Sequence, residues 1–288
     1  MAKHLLVAGL GYSGTAAAKA ALAAGFRVTG TARDPARARP PAGVALVAFD
    51  DFAQVLPAAT HLLVTAAPGQ EGDPVLAAHG QAVRAARLAW VGYISTTGVY
   101  GDHDGAWVDE ATPPTPTQDR TRRRLAAEQA WAALAATRAV DVMRAGGIYG
   151  PGRCVFDELR DGSARRTVKP GHAFSRIHRD DIADAVLAAI GSAAPSGLRT
   201  LNLVDDEPVG SAVVVEYGAQ LLGMEPPAAV PFEQAVTRMS PMARSFWSEN
   251  RRVANSATKA ALHLAWRYPS YREGLAAILA EERADLLP

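Results

Sequence analysis

The stretch Gly9-Leu10-Gly11-Tyr12-Ser13-Gly14 lies between the apolar run Leu5-Leu6-Val7-Ala8 and an Ala-rich run from Thr15 to Ala24, which Gly25 stops. It is a glycine-rich turn leading from a strand into a helix, and this context separates it from a chance GxGxxG. Glycines here let the backbone approach a pyrophosphate, while the helix start supplies amide donors and the positive end of a dipole. The expectation is that Gly9, Gly11, Tyr12, Ser13 and Gly14 hold a dinucleotide. The plain alternative is a tight turn that happens to be rich in glycine.

Working outward, strand and helix signals alternate. Residues 27–31, 44–49, 61–66, 91–96 and 140–144 read as strands, and 74–88 as a helix. Thr115-Pro116-Thr117-Gln118 combines a capping-box spacing with proline at the first helical position, so a long helix is expected from there to Thr137. A further helix is expected over 180–190 and a strand over 201–204. This rhythm predicts an α/β fold: a Rossmann-type doubly wound parallel sheet with a small C-terminal substrate-binding region. Residues 1–150 form the dinucleotide-binding domain, with the sheet completed by about 172–205; residues 151–171 and 206–288 form the substrate-binding region.

The whole-chain numbers bound the partners. The chain has 288 residues, 49% hydrophobic, with a net charge of +1, so no global field favours nucleic acid or an anionic membrane. The apolar run after Met1-Ala2-Lys3-His4 is too short for a leader or a membrane span, which predicts a soluble cytoplasmic protein. Cys154 is the one cysteine, which excludes an intrachain disulfide; a lone cysteine is usually inert. The histidines have no ligand spacing, so no metal is expected. The partner is a small-molecule substrate, and a homodimer is a candidate assembly.

The second strand bears on the cofactor. NAD-binding proteins place an acid near its end, about 20 residues past the glycines. Here the strand ends Thr29-Gly30-Thr31-Ala32, Arg33 follows, and Asp34 comes one residue late. Arg33 can grip a 2′-phosphate in forked geometry, with Arg37 as a second contact, which favours NADP(H) over NAD(H). A solvated loop arginine is the bland reading. Asp50 is placed to meet the adenine amino group, and Ala66-Ala67-Pro68 to floor the adenosine.

Four segments together resemble the extended, sugar-nucleotide-epimerase-like branch of the short-chain dehydrogenase/reductase superfamily. They are Ser95-Thr96-Thr97-Gly98-Val99-Tyr100-Gly101, Arg144-Ala145-Gly146-Gly147-Ile148-Tyr149-Gly150-Pro151-Gly152, Ile177-His178-Arg179-Asp180-Asp181-Ile182-Ala183 and Leu201-Asn202-Leu203. The resemblance implies a Tyr-x-x-x-Lys pair on the long helix with a Glu four residues on. Glu128 fits that Glu, which puts Arg124 at the Lys and Arg120 at the Tyr. The glycine motif also departs, with Ala8 where the branch prefers a glycine. Both departures resemble the atypical members known as NAD-dependent epimerase/dehydratase-like proteins.

By that resemblance Thr96 hydrogen-bonds the substrate oxygen, Arg124 keeps the ribose-holding part of the Lys role, and Arg120 stabilises an oxyanion. Arginine cannot take over a tyrosine's proton transfer, because a guanidinium stays protonated. A solvated stripe remains the bland reading for both arginines. Tyr100 and Tyr149 are read as packing residues, and His103 and Asp102 as loop residues. Sugar-nucleotide 4,6-dehydratases carry Asp-Glu where this chain has Thr97 and Gly98, which argues against dehydration. In the C-terminal region, Arg244 and Trp247 suggest an anionic or aromatic ligand group, with surface recognition an equal explanation. Two readings stay open: an NADP-dependent oxidoreductase or epimerase acting on a small hydroxyl or carbonyl compound, and a non-catalytic NADP(H)-binding sensor or partner-binding module.

Overall fold

In the computed structural model, which describes residues 3–285, seven strands form one sheet. They are β1 (His4–Ala8), β2 (Arg27–Ala32), β3 (Ala45–Ala48), β4 (His61–Val64), β5 (Trp90–Thr96), β6 (Ala139–Ala145) and β7 (Gly197–Leu203). Their order is β7-β6-β5-β4-β1-β2-β3, and every neighbouring pair runs parallel. Residues 1–2, part of the stretch weighed as a leader, lie outside the described residues, as do 286–288.

Every residue of β1, β4 and β6 is buried, as a parallel sheet covered on both faces requires. Side chains alternate between the faces. Leu5 and Val7 enter one apolar layer with Met143, Ile182 and Val186, while Leu6 and Ala8 enter the other with Phe52, Tyr93 and Trp131. Four helices cover these layers: α1 (Tyr12–Ala23), α2 (Pro74–Ala85), α3 (Asp119–Ala132) and α4 (Arg179–Gly191). Ala16, Ala17, Ala18 and Ala21 of α1 are buried, and their small side chains let α4 pack closely.

Several boundaries differ from expectation. Helix α1 starts at Tyr12, not Thr15, because the glycine loop runs directly into the first turn. Helix α3 starts at Asp119 and has no side-chain cap. The threonine expected to cap it, Thr115, is engaged elsewhere: its Oγ1 donates to the Tyr100 carbonyl at 2.6 Å, while Thr117 Oγ1 donates to Glu249 at 2.5 Å. The helix also ends at Ala132, short of Thr137. The loop over 100–117 contains a two-residue strand, Trp107–Val108, paired with Arg252–Val253. The irregular stretch after Gly146 likewise pairs, Gly147–Tyr149 against Arg176–His178.

The helices of the C-terminal region include α5 (Ser211–Leu222), α6 (Pro241–Trp247) and α7 (Tyr271–Asp285). Tyr271, Leu275 and Ile278 of α7 pack on Tyr149 and Phe156. No helix among the described residues is long and apolar enough to cross a membrane.

Candidate active site

The three glycines of the first turn have separate physical reasons. Gly9 has φ +105°, and a Cβ there would meet Thr65 Oγ1 at 2.8 Å. A Cβ on Gly14 would lie 2.2 Å from the Gly9 carbonyl, so helix and strand can touch only without one. A Cβ on Gly11 would meet nothing within 4 Å; this glycine faces open space. A positive-φ turn, an open backbone and a close helix start are what a bound pyrophosphate needs. The residues present therefore fit a dinucleotide.

That open space is a cavity of about 670 Å³ whose lining includes Gly9, Gly11, Arg33, Phe49, Ala66 and Ala67. Arg33 is exposed. Asp34 is turned into its own loop, where Oδ1 accepts from Ala36 N at 3.1 Å. Not every expected residue reaches the cavity. Asp50 is exposed and outside the lining, because residues 49–51 form a 3₁₀ turn that brings Phe49 to the cavity instead. Pro68, Tyr12, Ser13 and Gly14 also lie outside it. Tyr12 reaches away, donating to the Pro151 carbonyl at 3.0 Å, with Arg179 and Arg153 over its ring at 5.0 and 5.5 Å.

A second cavity, about 460 Å³, opens at the carboxyl end of β5. Its lining includes Thr96, Arg120, Phe246, Trp247 and Arg251. Thr96 Oγ1 accepts from Gly98 N at 3.1 Å, which leaves its own proton free to donate. Arg120 points into this cavity, not into bulk solvent, and its Cζ lies 4.1 Å over the Phe246 ring. Its Nε is buried without a partner, and burial pulls its pKa down, opposed by Glu249.

Arg124 goes elsewhere. Its Nη1 donates to the Ile94 carbonyl at 2.9 Å and to the Tyr93 hydroxyl at 3.1 Å, and it lines neither cavity. Four residues carry a side chain about 40° further around a helix. That turn, with the β5 carbonyl as acceptor, separates two arginines the sequence had placed on one functional face.

The second cavity is cationic. Arg120, Arg176 and Arg251 line it against one carboxylate, Glu249. Glu249 is taken up by Thr117 at 2.5 Å and Arg251 at 2.8 Å. Neither tyrosine replaces the absent one. Tyr149 donates to the Ser270 carbonyl at 3.3 Å and burial pushes its pKa up; Tyr100 donates to Asn202 at 2.8 Å and is fully buried. His103 and Asp102 are loop fasteners, bonding the Tyr100 carbonyl and the Asn250 amide. His178 is packed between Tyr149 and Tyr268, and burial lowers its pKa to about 4. Burial raises the pKa of half-buried Cys154. No group of three metal-ligating side chains occurs among the described residues.

Two further features were not foreseen. Glu128 is buried on α3, accepting from Ser95 at 2.5 Å and pairing with Arg144 Nη2 at 2.8 Å. The register that sets Ser95 beside Arg144 assembles this trio. The cationic residues of the cavity are the other. Trp247 does line it, but Arg244 is exposed and donates to the Thr237 carbonyl; beside the expected Arg120, Arg176 and Arg251 stand there instead.

No family model matches the chain. Protein YeeZ of Escherichia coli K12 is 29% identical over 244 residues, covering 78% of this chain and 86% of that protein. A solved structure from Silicibacter pomeroyi, of a conserved protein of unknown function, is 46% identical with a TM-score of 0.90, covering 97% of this chain and 99% of the other. Another, named as an NAD-dependent epimerase/dehydratase of Methylobacillus flagellatus, is 27% identical with a TM-score of 0.74, covering 98% and 99%. Two more distant structures share the fold: MoeE5, 21% identical, was solved with UDP-glucuronic acid and NAD, and a human epimerase family protein, 19% identical, with NADPH. Its structural neighbours are NAD-dependent epimerase/dehydratase-like proteins of the short-chain dehydrogenase/reductase superfamily, and with its glycine turn and strand order the chain shares their fold and resembles the atypical extended members.

Proposed function

We propose that the chain binds NADP(H) in preference to NAD(H) and acts as an oxidoreductase or epimerase on a small, anionic hydroxyl or carbonyl compound. The observation that carries this reading is the cationic cavity at the end of β5, where the free Thr96 hydroxyl and Arg120 share one wall. It opens at the same carboxyl edge of the sheet as the nucleotide cavity, where ligands of open α/β sheets bind. Residues 1–150 serve the nucleotide, the sheet being completed by 172–205, and residues 151–171 and 206–288 serve the substrate.

A bound nicotinamide supplies hydride chemistry. The chain's own residues do the rest. Arg33 neutralises the 2′-phosphate, Thr96 donates to the substrate oxygen, and Arg120 stabilises negative charge as it builds there. Arg120 gives no proton at neutral pH, and Thr97 and Gly98 offer no carboxyl group for elimination of water. Arg124 steadies β5 beneath the site, and this bonding stands against the ribose-holding role.

A second reading, a non-catalytic NADP(H) sensor or partner-binding module, is favoured by the engagement of Tyr100 and Tyr149 with protein acceptors. One experiment separates the two. NADPH consumption is followed against small keto acids and their neutral ketone counterparts, beside a calorimetric NADPH titration. Turnover of a keto acid supports the enzyme; tight NADPH binding with no turnover across the panel gives the second reading. The same proposal places the chain in the cytoplasm, and sedimentation will decide whether it works as a homodimer.

A further inference from the structure

Among the described residues, several buried or half-buried arginines have acceptors. Arg138 donates to the carbonyls of Val83, Arg84 and Ala86; Arg144 pairs with Glu128; Arg199 grips Asp141 with two bonds of 2.7 Å. Among the arginines that line the cavity, Arg120 holds its guanidinium over a ring with no protein acceptor among the described residues, and its Nε is fully enclosed. The one carboxylate in the cavity lining, Glu249, is already committed to Thr117 and Arg251. A half-buried charged donor left unpaired is costly. The donors of a guanidinium lie in its plane. An aromatic ring beneath its face leaves that rim free for an acceptor arriving edge-on.

The rest of the cavity says what the acceptor is attached to. Phe174 and Trp247 meet edge to face, with centroids 5.1 Å apart and planes at 89°, and both line the cavity. Flat apolar walls beside a fork-shaped cation match a planar acid. At about 460 Å³ the cavity is near the lower end of the range for small-molecule sites, roughly 300–1,000 Å³. We propose that the substrate is an aromatic carboxylate, its carboxyl group held by Arg120 beside Arg251 and its ring laid against Trp247. This rests on the proposed function and names the substrate class for that site. The identity of the aromatic acid is set by the space between Trp247 and Thr96, where the reacting oxygen sits.

The test uses benzoate and cinnamate, with benzamide and cinnamamide as neutral counterparts, titrated into the full chain by calorimetry. The acids should bind about tenfold or more tightly than the amides, the size of one charge-assisted bond. Arg120→Gln should abolish that preference. Arg244→Gln, which alters an exposed arginine outside the cavity, should keep it. Equal binding of acid and amide by the wild type overturns the proposal, whatever the variants do. So does an acid preference that survives in Arg120→Gln. Uridine diphosphate binding through Arg120 while cinnamate does not bind also overturns it. Should Arg120→Gln fail to fold, the wild-type acid-to-amide ratio and Arg251→Gln decide the matter. NADPH affinity, measured on the same wild-type sample, reports on the nucleotide cavity separately, so the carboxylate proposal can fail while the nucleotide reading stands.

Discussion

At residues 9–14 the groups proposed to bind are main-chain amides and missing side chains. In the cavity beside Thr96 they are side chains drawn from residues 96, 120, 176 and 246–251. The first site is contiguous in the chain, since a turn, an opening and a helix start follow one another along the backbone. The second is assembled only when β5, α3, the Arg176 segment and α6 have packed. The first therefore announces itself as a motif. The second depends on where helices stop and which way long side chains turn. The difference teaches that a backbone site tolerates drift elsewhere in the chain, whereas a side-chain site inherits every error in packing.

The comparison breaks most visibly at Glu128. It is buried on the helix that carries Arg120 and pairs with Arg144. Glu128→Ala should cost about 3–5 kcal/mol, because it leaves a buried guanidinium uncompensated. Urea denaturation reads this directly, and a loss below about 1 kcal/mol would show that the substrate side does not hang on this pair.

Next in size is a pH effect centred on two buried carboxyls of the stretch that completes the sheet, Asp181 and Asp205. Burial raises the pKa of Asp181 to about 7, against amides of Arg267 and Tyr268 that lower it, and that of Asp205 to about 8, against Arg176. Both carboxyls hold protons more tightly in the folded chain than in the unfolded one. Their contribution is intact below about pH 4, where the unfolded chain is also protonated. It is lost as pH rises toward 7 for Asp181 and 8 for Asp205. Stability should fall by roughly 2–3 kcal/mol between pH 5 and 8, under the ceiling of about 1.4 kcal/mol per unit for one group. Asp205→Asn should flatten the curve; an unchanged slope would remove Asp205 from the account.

The nucleotide side is sharpened by Arg33→Ala. NADPH should weaken by about 10- to 100-fold while NADH is nearly unchanged, since the lost interaction is one charge-assisted contact of about 1.5–3 kcal/mol. Equal loss for both cofactors would sink the 2′-phosphate role. The smallest stability effect is expected at Gly11→Ala. Its φ of −83° suits any residue and its Cβ would meet nothing, so stability should move by less than about 0.5 kcal/mol. NADPH should still bind less tightly, because the methyl group enters the nucleotide cavity. Unchanged NADPH affinity would mean the pyrophosphate does not lie there.

Much of the fold could be read directly. Strands β1, β2 and β5 and helix α4 lie within two residues of where alternation and periodicity put them. Local competition explains the errors. Thr115 has the spacing of a cap, yet its hydroxyl found an acceptor across the chain, at the Tyr100 carbonyl. Asp50 lies just after the third strand, but one 3₁₀ turn presents its neighbour Phe49. Arg120 and Arg124 share a helix face at the level of spacing. Only the β5 carbonyl at Ile94 decides that they part. Arg176 and Arg251 carried no local signal, because their meaning lies in being near each other.

The order β7-β6-β5-β4-β1-β2-β3 has a consequence for how such a chain is made. β2 and β3 extend the sheet on one side of β1, and β4 to β7 extend it on the other, each beside the last. No later strand has to force its way between two already paired. Growth by accretion suits a polypeptide that emerges from its N-terminus, since domains fold as they are synthesised. By Thr96 five of the seven strands can already lie in final order, with the glycine turn formed at their edge. The arginines of the second cavity arrive last, on a platform that already exists.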